Sequence, residues 1–358
     1  MMMRRINYAL CAAAVVSLVV ALSVVRAQSP FTGQWLVEPT QTRADVVQLT
    51  LRYRTEKDSY KGHTYDSTTG FDIALAQLAG LTPAQMSAPG GNHVQFQLRR
   101  DAGTLDCDGW FKDGQGAGHF VFVPDASFAA ALRQRSIDAP TPEQQFMLAM
   151  HDVSLALVDE LQAEGYARPT LEQLVKLGQH GVRLEYVREL HALGYDVGTP
   201  DALVHMVDHG VSPRYIRNLA ALGYEHLAAE DLVRAVDHGV SSDYITKMQA
   251  AGYARQPLEQ LIRMVDHGVG AKMVEELAAL GYRQLPAVDL IRLADHGVGA
   301  RFIHNLKALG YDNVPVDLLV RLADHGVSTD FIERVRAGGR QGVSLEQLIY
   351  MRDHGEDH

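Results

Sequence analysis

Eight histidines stand 29 residues apart, with no insertion or deletion between them: His151, His180, His209, His238, His267, His296, His325 and His354. Six are set in Asp-His-Gly, and His180 is set in Gln-His-Gly. A second glycine keeps the same beat from Gly165 to Gly339, and tyrosine follows it six times, from Tyr166 to Tyr311. One period held over roughly two hundred residues makes a repeat array. Such arrays bury their apolar surface between neighbouring units, not in one closed core, and they work mainly as surfaces for partners.

The units begin at Thr141, Thr170, Thr199, Ala228, Pro257, Pro286, Pro315 and Ser344, and the last has room for one helix only. In the unit from Thr199, that threonine is a candidate N-cap and Pro200 suits the first helical position. Leu203, Val204, Met206 and Val207 form an apolar stripe, and Gly210 stops the helix as a left-handed residue beyond the C-cap. Ser212 and Pro213 start a second helix, striped by Tyr215, Ile216, Leu219 and Leu222 and ended by Gly223. Helices this short are marginal alone, since isolated helices under about 12–15 residues barely form in water. Stacking supplies the missing burial. Matching positions are apolar throughout: Leu174, Leu203, Leu232, Leu261, Leu290, Leu319 and Leu348 on first helices, with Val187, Ile216, Ile245, Val274, Ile303 and Ile332 on second helices. The predicted fold is therefore mostly α: an α-solenoid of helical hairpins over residues 138–358, with 7.5 repeats of 29 residues.

The ridge Asp208-His209, Asp237-His238, Asp266-His267, Asp295-His296 and Asp324-His325 is the candidate site, either as structure or as a charged surface that docks a partner. Histidine at the end of a helix can satisfy its free carbonyls and hydrogen-bond between units, whereas aspartate there opposes the macrodipole and needs a compensating group. His205, Arg234, Arg263, Arg292 and Arg321 stand three residues earlier, so an Arg–Asp–His belt is expected. A metal-responsive ridge is the alternative. However, neighbouring helices pack about 8–10 Å apart, too far for successive histidines to share one ion, and no metal or cofactor is predicted. The tyrosines that follow the second glycine, Tyr195 to Tyr311, are expected to pack back on their helices; a binding stripe is the other reading.

Residues 28–137 read as a small β-rich domain. Strands are expected at Phe31–Val37, Asp45–Tyr53, Val94–Leu98, Thr104–Phe111 and His119–Val123. Ile73–Leu81 looks helix-like, tight turns fall at Asp101–Gly103 and Lys112–Gly116, and a short helix runs from Ala126 to Arg135. Trp35 and Trp110 are candidates for a ligand-stacking face, with core packing as the other reading. Cys107 has no assignable histidine partner and reads as a buried, inert thiol.

Residues 1–27 resemble a secretory signal: Arg4 and Arg5, an apolar run from Ile6 to Val25, then Val25-Arg26-Ala27. The run is long enough that an uncleaved anchor over residues 6–25 is the alternative. An exported chain, periplasmic or secreted, is expected. Cleavage removes three arginines and no acid, taking the formal charge from −10 to −13, which disfavours nucleic acid as a partner. One cysteine would remain, so no intramolecular disulfide framework is available.

The unit resembles a bacterial helix-pair repeat of the form LVRLxDHGVSxxYIxxLxALGY, over about Thr141 to Gly355. Such arrays occur in exported proteins and behind the metallopeptidase domain of β-lactam-sensor-like membrane proteins. The segment from Arg100 to Phe122 is similar to the β-rich part that accompanies them. The resemblance implies an envelope protein whose repeats bind other proteins. It carries over no catalytic residue, because the peptidase half depends on a His-Glu-x-x-His helix that this chain lacks. The expectation is a non-enzymatic scaffold or sensor for an envelope protein or peptide. The alternatives are the metal-responsive ridge and small-ligand binding by the β-rich domain.

Overall fold

The computed structural model describes residues 31–40, 43, 45–56 and 64–356. The signal-like segment lies outside them. Among the described residues the protein is mostly helical, with 17 helices behind an N-terminal curled antiparallel sheet, and no helix is long and apolar enough to cross a membrane.

The sheet comprises β1 (Phe31–Pro39), β2 (Val46–Glu56), β3 (Thr64–Ala74), β4 (Leu78–Ala79), β5 (Asn92–Arg100), β6 (Gly103–Lys112) and β7 (Gln115–Pro124). Their spatial order is β3-β2-β1-β7-β6-β5-β4. The two edge strands, β3 and β4, are thus consecutive in the chain. Only a three-residue 3-10 turn, Leu75–Gln77, joins them, so the sheet has to curl to bring its edges near each other. This corrects the helix-like reading of Ile73–Leu81. Ile73, Leu75, Leu78 and Leu81 have helix-like spacing, but they bury along the curled edge, where β3 pairs with β2 and β4 with β5. Most of β3 carried no sequence signal, because Thr64 to Gly70 has no apolar alternation. The β6–β7 hairpin turns on Asp113 (φ 52°) and Gly114 (φ 86°), the two positive angles that a two-residue type I′ turn requires.

On the inner face the Trp35 indole crosses Gly118 and Gly109, which pair across β7 and β6. A Cβ on Gly118 would lie 2.1 Å from the Asp108 carbonyl oxygen and 2.8 Å from the indole, so glycine is obligatory there. Trp35 also donates through Nε1 to the Asp108 carbonyl at 3.2 Å and meets Phe96 edge to face.

Short helices α1 (Pro83–Met86) and α2 (Ala126–Gln134) complete the N-terminal part. The repeated pairs follow: α3 (Pro142–Met150) with α4 (Leu155–Ala163), α5 (Leu171–Gln179) with α6 (Leu184–Ala192), α7 (Pro200–Asp208) with α8 (Pro213–Ala221), and α9 (Ala229–Asp237) with α10 (Ser242–Ala250). After them come α11 (Leu258–Asp266) with α12 (Ala271–Ala279), α13 (Ala287–Asp295) with α14 (Ala300–Ala308), α15 (Val316–Asp324) with α16 (Thr329–Ala337), and the single α17 (Leu345–His354). First helices lie on first helices and second on second: α11 touches α9 and α13, and α12 touches α10 and α14. The leucine and β-branched series named above is buried throughout. Gly210 (φ 75°) closes α7 by sending its N–H to the Val207 carbonyl, while Val211 reaches the Met206 carbonyl and buries its side chain.

A boundary at residue 137 exists in the chain but not in the packing. Phe146 of α3 is fully buried against the sheet, with ring centroids 4.2 Å from Phe31, 5.0 Å from Tyr53, 5.4 Å from Phe122 and 5.7 Å from Phe120. Beside it the buried Gln145 amide donates to the carbonyls of Ala102 (2.7 Å) and Asp125 (2.6 Å). The sheet therefore covers the end of the helix array, where the first pair would otherwise expose an apolar face.

Candidate functional site: the aspartate–histidine ridge

Each ridge aspartate is the last residue of a first helix and each histidine is its C-cap. Nδ1 of one unit's histidine meets Oδ1 of the next unit's aspartate. The six bonds are His180–Asp208 (2.6 Å), His209–Asp237 (2.7 Å), His238–Asp266 (2.8 Å), His267–Asp295 (2.5 Å), His296–Asp324 (2.5 Å) and His325–Asp353 (2.8 Å). A carboxylate only accepts, so Nδ1 carries the proton in each pair and Nε2 is left over. Every dipeptide thus gives with its histidine and takes with its aspartate, and the ridge is one continuous ladder. All these side chains are 35–45% exposed, so each pair contributes only about 0.2–1 kcal/mol.

The arginines do not join this ladder as expected. Arg234 binds Asp231 and Glu259, Arg292 binds Asp289 and Asp317, and His205 Nε2 stands 3.6 Å from Glu230. Three residues along a helix separate Arg234 from Asp237, but the aspartate is already taken by the preceding histidine. The guanidinium reaches forward instead, to the acid in the first turn of the next first helix. A parallel ladder results, starting at Lys176–Asp201 (2.7 Å). The Lys176 bond is the largest influence holding the Asp201 carboxyl below its ordinary value, and the Glu259 bond raises Arg234. Among the described residues the pairing lapses at two steps: Arg321 has no ion pair although Glu346 stands 25 residues on, and Arg263 has no acid at that spacing. Position 288, equivalent to Glu259 and Asp317 for Arg263, carries a valine that is 51% exposed.

The tyrosines hold the units together. Tyr224, Tyr253, Tyr282 and Tyr311 donate their hydroxyls to the carbonyls of Gln256, Leu285, Val314 and Val343, each in the loop one unit on, at 2.6–2.7 Å. Tyr186, Tyr215 and Tyr244 do the same to Val211, Val240 and Val269 at 2.7–3.0 Å. These bonds span 32 and 25 residues, and nothing in the spacing of the sequence announces them.

The ladder begins late because Gln179 stands where an aspartate would accept from His151. Burial, then the charge of Arg183, push His151 down to about 4. Its neighbour Asp152 takes the left-handed position held elsewhere by glycine (φ 56°) and pairs with Arg100 of the sheet at 3.2 Å. At the far end His354 Nδ1 bonds the Tyr350 carbonyl of its own helix at 2.8 Å.

Trp35 and Trp110 do not form a shared face. Trp35 is 1% exposed on the inner side, whereas Trp110 is 62% exposed on the outer side of β6, because their positions alternate oppositely in register. The outer side gathers a cluster that sequence reading missed. His93 stacks edge to face on Trp110 (5.4 Å) and bonds Asp108 (3.2 Å), which also accepts from Gln95 (2.7 Å). These bonds, Gln95's first, hold the Asp108 carboxyl below its ordinary value. The signal was present in the alternation of His93, Gln95 and Gln97 against Val94, Phe96 and Leu98. Cys107, between them, is buried and its thiol is pushed far up by desolvation, so it stays protonated. Among the described residues no three His, Cys, Asp or Glu side chains converge as a metal cluster.

No protein-family model matches the chain, and no curated protein matches it.

Proposed function

We propose that this is an exported, non-enzymatic scaffold or sensor. Its helix pairs stack as an α-solenoid and hold an envelope protein or peptide along the ridge of first helices. The observation that carries this reading is the Arg263–Val288 step. Along most of the ridge the charges are spent on one another, through the His–Asp ladder and the basic–acid pairs of Lys176, His205, Arg234 and Arg292. At this step the arginine has no ion pair among the described residues, and an exposed valine holds the equivalent position of the acid. A partner that presents a carboxylate next to an apolar side chain complements it. Full chains carrying a photocrosslinking residue at position 288 or at position 110 test this in native envelopes. Adducts from 288 alone support docking on the ridge. Adducts from 110 alone, or from neither, refute it.

A second reading is supported by the exposed Trp110 with His93, Asp108 and Gln95, a combination suited to stacking and hydrogen bonding a small polar ligand. A ligand there would shift the emission of Trp110 on titration, and Trp110→Ala would abolish the change.

A further inference from the structure

The unit beginning at Thr199 departs from its neighbours at one ridge position. Where they carry Lys176, Arg234, Arg263, Arg292 and Arg321, it carries His205. One turn later on the same face comes the ridge histidine His209, and the two rings meet edge to face with centroids 4.4 Å apart. A third donor arrives from the next unit: Glu230, in the first turn of α9, sets Oε2 3.6 Å from His205 Nε2. Two ligands of one zinc ion, bound at about 2.0–2.2 Å in tetrahedral array, stand about 3.3–3.6 Å apart. His205 and Glu230 are therefore already near the spacing of co-ligands.

The surroundings favour a cation. Asp237 holds Nδ1 of His209 at 2.7 Å, which leaves Nε2 as the donor nitrogen and places a carboxylate behind the imidazole, as in many metal sites. His209 also caps the C-terminus of α7, the negative end of the helix dipole. The three donors do not yet close on one point, but the His205 and Glu230 side chains are 47% and 73% exposed and can turn without disturbing the core.

We infer that His205, His209 and Glu230 form a site for a divalent transition metal of the Zn2+ or Cu2+ class, completed by water and joining α7 to α9. Two imidazoles and one carboxylate suit these borderline ions better than Mg2+ or Ca2+, which prefer all-oxygen shells. At the equivalent steps Arg234–Glu259 and Arg292–Asp317 make a permanent ion pair. Here the same clamp depends on metal. The site does not rest on the docking reading above.

The test is titration of the full chain with zinc chloride by calorimetry, wild type against His205→Arg and Glu230→Gln. His205→Arg installs the residue that four other units carry, so the fold is kept, and circular dichroism without metal checks this. The expected result is one equivalent of Zn2+ bound by the wild type. His205→Arg should bind at least about tenfold more weakly, and Glu230→Gln should fall between the two. Copper loading should give a two-nitrogen paramagnetic signature in the wild type only. Equal zinc binding by wild type and His205→Arg would place the ion on other histidines and overturn the inference. So would the absence of saturable binding by the wild type.

Discussion

Phe146 joins the sheet to the helix array, and its removal has a consequence that two optical probes can separate. Phe146→Ala empties a site that is fully buried and ringed by Phe31, Tyr53, Phe120 and Phe122. Truncating a buried phenylalanine costs about 3–5 kcal/mol, and loss of the aromatic contacts favours the upper half of that range. We take about 4 kcal/mol. Both tryptophans lie in the sheet, so fluorescence reports it alone, whereas ellipticity at 222 nm reports mainly the helices. With a urea dependence of about 2 kcal/mol per molar, the tryptophan midpoint should fall by about 2 M. The helical transition, summed over pairs that never touch Phe146, should move much less and separate from it. A loss under about 1 kcal/mol would refute the shared core. Coincident shifts of both probes would instead refute the separation and make the whole chain one cooperative unit.

Three further outcomes are expected. A double-mutant cycle on His238→Ala and Asp266→Ala should give a coupling of about 0.2–1 kcal/mol in chemical denaturation, as suits a half-exposed pair; a coupling near zero would remove the ladder from the stability of the array. Tyr253→Phe deletes the 2.6 Å bond to the Leu285 carbonyl and should cost about 0.5–1.5 kcal/mol, while wild-type stability in the variant would mean that water replaces the hydroxyl. His151 is held neutral in the fold, pushed from 6.5 to about 4, so its contribution is complete above pH 6.5 and is lost as pH falls from there toward 4. The loss is at most about 3 kcal/mol, and less once screening is allowed for. His151→Gln should flatten that acid limb relative to wild type, and parallel curves would show that His151 is not responsible for it.

Much of the array was legible because its grammar is local. Thr199 and Ser212 cap, Gly210 and Gly223 stop, and Leu203 with Ile216 marks the buried stripes; each acts within its own turn of helix. The sheet was legible where one face alternates, as in β6, and illegible in β3, whose polar residues become a strand only because β2 lies beside them. The ridge residues were found by their period and bonding between units was expected of the histidines, but the aspartates that accept those bonds were not identified. Asp208 takes its bond from His180, 28 residues earlier, in preference to any residue on its own helix. Arg234 likewise reaches Glu259 on the next helix. The outer cluster around Asp108 spans two neighbouring strands, so register alone assembled it.

The sequence by itself determined the helix pairs, their length, their order and their buried faces, since caps, stops and apolar periodicity act over a few residues. Only the tertiary structure decided how the pairs are tied. The histidine, arginine and tyrosine bonds cross 25 to 32 residues, and which group wins a partner depends on the distance between packed helices. The same holds for the end of the array. Phe146 reads as one more apolar residue of a repeat, and it became the centre of the sheet's core because a curled sheet leaves an open inner face that the first helix fills.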